Sequence, residues 1–332
     1  MPARWGCGQT QLRVDRGWRK IGVMNTLLTV SRNAMNGEFA AAFQRERYPQ
    51  GTEAALDALD EVERLEQVLS VFRFDSRVQY VNLTAHEEPV PLDDELFGLI
   101  EQCQQLAAET DGAVDITSGP LWKVWGFARR NGQVPSDEEL RTALEKVDYR
   151  WVELDKAAKT VRFLKPDVEL NFGCVGKGFA LDVAAEKLKG HNVDRFLFHG
   201  GQSSVLAVGS DWTVGVAHPM HIGKRLTEIS LADNAIGTSG SQQQFFRYRG
   251  RRYSHIIDPR TGQPAEGVLS VTVIAPTATL AELLSTAFFV MGPEKIEEYC
   301  SRNTNIAAVC VLPSTKGSGF TVRSFNVTEI DA

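Results

Sequence analysis

The chain has 332 residues, 43% hydrophobic and 23% charged, with a net charge of −6. That balance is ordinary for a globular protein and, with no long basic stripe, argues against a nucleic-acid partner. No uninterrupted apolar run of about 18 residues occurs, so no membrane-spanning helix is expected.

Arg4, Arg13, Arg16, Arg19 and Lys20 near the start are followed by no apolar stretch of signal-peptide kind, and Cys7 has no apolar run before it. Residues 1–24 are expected to be irregular, ahead of a single domain over 25–332. Residues 27–43 read as extended. Residues 52–69 place Leu56, Leu59, Val62, Leu65 and Leu69 at helical spacing. A loop of aromatic and small polar residues follows, through Phe72, Phe74 and Asp75 to Asn82. Residues 93–110 form a second amphipathic helix. Next comes Asp111-Gly112-Ala113-Val114-Asp115-Ile116-Thr117-Ser118-Gly119-Pro120, then Trp122, Trp125 and Phe127. This is either a ligand-contacting loop or a helix exit with a small aromatic core. Ser136 and Glu139 form a capping box for a short helix over 136–146.

A hairpin is expected from 152–154 and 160–164, with another strand over 168–172. The chain continues Gly173-Cys174-Val175-Gly176-Lys177-Gly178 into a helix ending at Gly190. A strand, a glycine turn and a helix start with a lysine suit an anion, because free N–H groups and a full charge converge there. A structural turn is the other reading. The turn is not a Walker loop, since Gly178 stands where Ser or Thr is required. Beyond it lie short strands at 195–199, 212–218, 225–231, 245–257 and 268–275, with a small-residue turn at 235–240. A helix over 279–291 stops at Gly292-Pro293, and strands at 305–312 and 320–325 close the chain. The pattern is α+β with largely antiparallel sheets and flanking helices. The five cysteines show no C-x-x-C spacing and read as free thiols of a reducing, cytoplasmic setting.

The chemistry concentrates in Tyr253-Ser254-His255-Ile256-Ile257-Asp258-Pro259-Arg260-Thr261-Gly262-Gln263-Pro264. Histidine suits proton transfer near neutrality, and an aspartate follows three residues later at a tight turn. The plainer reading is a β-turn in which both side chains serve the local backbone.

Taken together, these stretches resemble the ApbE family, the FAD:protein FMN transferases. The resemblance rests on Asp115-Ile116-Thr117 with Trp125-Gly126-Phe127, the Lys177-Gly178 turn, Gly200-Gly201, residues 212–219, Thr238-Ser239-Gly240, the His255 turn, and Glu282 with Thr286. It spans roughly 34–292 and implies an ApbE-like, T-fold-related architecture. It also implies FAD as substrate, a divalent cation such as Mg²⁺, and a target protein whose Thr or Ser hydroxyl receives FMN as AMP leaves. His255 matches the family's general base. Glu282, Thr286 and a carbonyl near Cys174 match its metal ligands. Met35, Phe72, Phe74, Asp115, Thr117, Lys177, Gly201, Thr238, His255 and Ile256 fall on its FAD-contacting segments. The chain departs from the pattern at Glu282 and Asn171, where Asp is usual, at Ser241, where Asp is common, and at Met35-Asn36-Gly37, where Met-Gly-Thr is usual. Thr279 and Glu282 also read as a capping box, which would turn Glu282 away from a metal. The alternatives to transfer are an FAD-binding protein without activity and a metal-dependent FAD pyrophosphohydrolase.

Overall fold

In the computed structural model, residues 11–15, 27–221, 223–241, 244–314 and 319–327 are described. Nine strands form one sheet in the order in which they occur along the chain. They are Gln11–Asp15, Leu27–Ala34, Gly37–Gln44, Phe196–Gly200, Ser204–Val208, Asn234–Gly240, Ser270–Ala275, Ala307–Pro313 and Phe320–Phe325. Every neighbouring pair is antiparallel. The sheet is thus a meander with functional segments inserted between its strands. Most of the segment expected to be irregular, 1–10 and 16–24, lies outside the described residues, while Gln11–Asp15 pairs with Leu27–Ala34.

Side chains alternate across such a sheet with period two. Ala308 and Cys310 join the large core, whereas Val309 between them joins a smaller cluster with Trp212, Val216, Ile229 and Ile236. Helices Gly51–Leu69, Gly176–Gly190 and Ala278–Met291 cover the large-core face. The hairpin of Trp212–Ala217 and Arg225–Leu231 contributes the cluster on the other face.

Helix Ala278–Met291 is buried almost all round, and its sequence explains why. Apolar and small residues continue through ATLAELLSTAFFVM, with Glu282 the one charged residue. Thr277, not Thr279, caps it: Thr277 Oγ1 accepts the Leu280 N–H at 3.2 Å. The capping-box reading of Thr279 and Glu282 is therefore incorrect. The Thr279 N–H is taken by Asp182 Oδ2 at 2.8 Å, and the Ala278 N–H by Asp182 Oδ1 at 2.8 Å. Asp182 belongs to the neighbouring helix, Gly176–Gly190.

Other boundaries moved for identifiable reasons. Residues 77–84 are a helix rather than loop, nucleated by Ser76 Oγ accepting the Gln79 N–H. Residues 168–172 form no strand, because the Asn82 side chain satisfies both the N–H and C=O of Leu170. Residues 235–240 are strand instead of turn. Gly237 is needed there because a Cβ would stand 2.4 Å from the Ala281 backbone. The long strand expected over 245–257 is a hairpin, Phe245–Tyr248 with Arg251–Ser254. Arg249 and Gly250 turn it with φ of 49° and 81°, the positive values a two-residue hairpin loop takes. A further helix, Pro293–Arg302, follows Gly292.

At Gly178 a Cβ would lie 2.3 Å from the Ala278 carbonyl oxygen. Gly178→Ala must push the two helices apart, and overpacking of this kind costs about 1–3 kcal/mol. Urea unfolding should show a lower midpoint with secondary structure retained. An unchanged midpoint would contradict the close helix contact.

Candidate active site

The site is built around the start of the Gly176–Gly190 helix. The turn before it is tightened by Gly176 N–H donating to the Phe172 carbonyl at 2.7 Å. The Gly178 N–H donates to Glu282 Oε2 at 2.8 Å. Ser204 Oγ, buried at the start of its strand, donates to Glu282 Oε1. The Lys177 ammonium lies 3.5 Å from the same oxygen. Glu282 is 5% exposed, and a carboxylate that deep needs such partners. The anion expected at this helix start is thus a side chain of the protein itself. What the turn still offers a ligand is the partly exposed Lys177 side chain, which runs beside Gly201, where φ is +64°.

Cys174 sits in the same pocket of charge. Burial, then the field of Glu282, pushes its thiol up to about 12, so it is a neutral thiol. Thr286, one turn along from Glu282, has its Oγ1 3.3 Å from Ser239 Oγ, which in turn meets Ser285 Oγ at 2.9 Å. Thr238 N–H donates to the Ser203 carbonyl at 2.8 Å, tying its strand to the Gly201 turn. Met35 and Asn36 form the positive-φ turn of the first hairpin. That turn adjoins the same place, since Gly201 N–H donates to the Glu38 carbonyl at 2.7 Å.

His255 closes the site from the next inserted segment. Its Nδ1 is 2.9 Å from the Gln244 carbonyl oxygen. A carbonyl only accepts, so Nδ1 carries the proton and Nε2 is left with its lone pair. Burial lowers the pKa below the ordinary 6.5, and the Lys177 charge lowers it further. Both effects keep the ring neutral and basic at Nε2. Asp258 plays no part in this: its carboxylate holds the Arg260 Nε and Nη2 at 2.8 Å each and shapes the turn. Ile256 is buried in that turn, its carbonyl accepting from Ala265 at 2.8 Å. Trp125 Nε1 donates to the Gly262 carbonyl at 2.8 Å, anchoring the turn on the aromatic cluster. The aromatic residues around Trp125 do form the small core weighed from sequence.

Two residues expected on the FAD-contacting segments also hold backbone in place. Asp115 Oδ1 accepts from Thr117 N–H and Oγ1 at 2.7 Å each, and Oδ2 from Tyr149 N–H at 2.8 Å. Burial raises its pKa while these bonds oppose the rise. Asp115 and Thr117 therefore brace the loop beneath Cys174. Phe72 lines a recess of about 100 Å³ with Trp122, Lys123, Glu169 and Asn171, whereas Phe74 is 91% exposed and joins none of the others. Asn171 Oδ1 accepts the Gly173 N–H at 2.9 Å, which connects that recess to the lysine turn. Sequence reasoning missed Ser204 and Asp182, whose partners are distant in the chain, and Gln244, which acts through its backbone carbonyl.

Among the described residues no cluster of three or more His, Cys, Asp or Glu could hold a metal. A cation site here must combine one carboxylate with hydroxyl and carbonyl oxygens. Glu282 and Thr286 supply such oxygens, four residues apart on one helix face. Each Glu282 oxygen has two lone pairs, so one direct hydrogen bond to each does not exhaust it. The donor chemistry suits a hard cation.

The fold and site define an antiparallel α+β protein with a half-buried neutral imidazole near a cationic turn. The ApbE family profile matches residues 24–310, and the chain belongs to the ApbE family. The FAD:protein FMN transferase of Treponema pallidum is 32% identical over 282 residues, 78% of each chain. The Salmonella typhimurium protein of the same name is 31% identical, covering 90% of this chain and 84% of its own. Among solved structures, the ApbE protein of Thermotoga maritima superposes with a TM-score of 0.80 at 30% identity, covering 89% of this chain and 96% of that one. The Pseudomonas stutzeri flavinyl transferase ApbE gives 0.79 at 28% identity, over 90% and 94%.

Nitrogen-15 NMR of the imidazoles should give His255 a pKa below 6.5 with Nδ1 protonated in the neutral ring. Lys177→Met removes a nearby positive charge, so the pKa should rise toward 6.5. A His255 pKa above 6.5, or one indifferent to Lys177, would contradict the site electrostatics.

Proposed function

We propose that this chain is an FAD:protein FMN transferase, with His255 as the general base. The observation that carries the reading is the His255 tautomer, with a basic Nε2 held in a half-buried ring near the Lys177 turn. The acceptor is a Thr or Ser hydroxyl of a target protein. Its oxygen attacks the FMN-side phosphorus of FAD, its proton passes to His255 Nε2, and the bond to the AMP phosphate breaks. A base near its working pKa and a cation at the phosphate are what such a substitution requires. Lys177 supplies charge to the pyrophosphate through its side chain, since Glu282 engages the Gly178 amide at the helix start. Met35, Gly201 and Thr238 border this position, and Phe72 with Trp122 offers rings at the recess beside it.

A divalent cation would be held by Glu282, Thr286 and a carbonyl near Cys174, and would neutralise charge on the phosphates. Glu282 then has two duties, because the same carboxylate fixes the Gly178 amide and the Lys177 ammonium. Among the described residues no helix is long and apolar enough to cross a membrane. Free thiols at Cys103, Cys174, Cys300 and Cys310 support a reducing, cytoplasmic setting.

Incubation with FAD, Mg²⁺ and a Thr-containing acceptor, followed by nucleotide and mass analysis, tests the reading. Wild type should yield AMP and flavinylated acceptor. His255→Ala should bind FAD and lose about 10²–10⁴-fold in transfer, and wild-type transfer should fall as acid protonates His255 below pH 6.5. AMP with free FMN would indicate a hydrolase, and intact FAD a binding protein. Either outcome, or full transfer by His255→Ala, would contradict the proposal.

A further inference from the structure

The hairpin that mounts His255 carries an unusual charge arrangement. Arg247 and Arg252 face each other directly across Phe245–Tyr248 and Arg251–Ser254. Like charges in opposed positions are destabilising. The repulsion registers on Arg252, whose pKa is lowered by burial and by Arg247. Among the described residues no carboxylate stands within ion-pair distance of Arg247, Arg249 or Arg252; only Arg251 is paired, with Glu266 at 2.6 Å. Arg252 Nη2 donates to the Ser241 carbonyl, and its Cζ lies 3.9 Å from the Phe245 ring centroid. Its Nε is the one buried side-chain polar atom, among the described residues, without a hydrogen-bond partner. Three arginines without a carboxylate partner leave this part of the hairpin with a positive charge that an anion supplied from outside would offset.

The surroundings narrow what that anion belongs to. Phe245 is 41% exposed, so the two cations stand beside an accessible ring. By strand alternation Phe245, Arg247 and Arg252 share one face. Phe246 and Tyr253 point the other way into the Trp125 cluster, against which His255 also rests. The Gln244 carbonyl that begins this hairpin is the one that fixes the His255 tautomer. Three residues separate Arg252 from His255, about 10 Å of extended chain. A molecule seated on the outer face therefore lies close to the base without filling its site. In a chain of net charge −6, a local excess of arginine favours an acidic partner.

We propose that Arg247 and Arg252, with Phe245 on the same face, dock an acidic segment of the acceptor protein and so present its hydroxyl to His255. The inference rests on the transferase reading, and the experiment separates the two. The probes are a Thr-containing peptide with Asp and Glu flanks, its Asn and Gln counterpart, and a Lys-flanked version. The full chain, FAD and Mg²⁺ are used throughout. Wild type should flavinylate the acidic peptide with a KM about tenfold or more below that of the neutral one, and added salt should erase the difference. Arg247→Gln, at an exposed position, should raise KM for the acidic peptide alone and leave FAD affinity unchanged. Arg247→Glu should invert the preference and improve use of the Lys-flanked peptide, which a merely structural arginine would not produce. Transfer with equal KM for all three peptides overturns the docking surface and leaves the transferase intact. No flavinylation of any peptide, with FAD left whole, overturns both. Binding of wild type to phosphatidylserine vesicles, lost in Arg247→Gln, without discrimination among peptides, assigns the hairpin to an anionic membrane and overturns the proposal.

Discussion

Two carboxylates exchanged between two helices hold this molecule's centre together. Asp182, on one helix, accepts the Ala278 and Thr279 amides at the start of the other. Glu282, on that other helix, reaches back to the Gly178 amide. Each carboxylate thereby sits at a helix start, where the partial positive charge of unsatisfied N–H groups favours an anion. The exchange requires the backbones to approach closely, which is why Gly178 abuts the Ala278 carbonyl and Gly237 abuts Ala281. A larger residue at either place would separate the layers that carry the site.

The consequence for chemistry is a division of labour. With Glu282 at the helix start, the Gly178 amide is committed, and charge for a ligand comes from Lys177 on its flexible stem. The same Glu282 oxygen that faces Lys177 is steadied by the buried Ser204 hydroxyl. His255, delivered by a different insertion between strands, is kept neutral first by burial and then by the positive field of Lys177. Lys177 therefore acts on His255 although the two arise from segments about 80 residues apart, a separation that contact across the meander makes possible.

Much of this was legible in the sequence where signals are local. The helices over 52–69 and 93–110, the Ser136–Glu139 capping box and the stop at Gly292 follow from periodicity and caps, and the structure has them. The Lys177 turn and the His255 turn were visible as punctuation by glycine and proline. What sequence could not give depends on partners far along the chain. Gly237 helped to suggest a turn because its cause, contact with the helix backbone at Ala281, lies some 40 residues away. Thr279-x-x-Glu282 imitated a capping box because the true partners of both residues, Asp182 and Gly178, are on another helix. The bond from Tyr149 to Asp115 could not be foreseen, because Tyr149 is 34 residues farther along the chain.

The central claim is that Glu282, Lys177 and the Gly178 amide act as one electrostatic unit. A double-mutant cycle of Glu282→Gln and Lys177→Met on unfolding free energy tests it most directly. Each single change leaves a charge without its partner, so the two should couple by about 1 kcal/mol or more, the double mutant losing less stability than the sum of the singles. Additive losses would mean that the two side chains do not interact and would contradict the account.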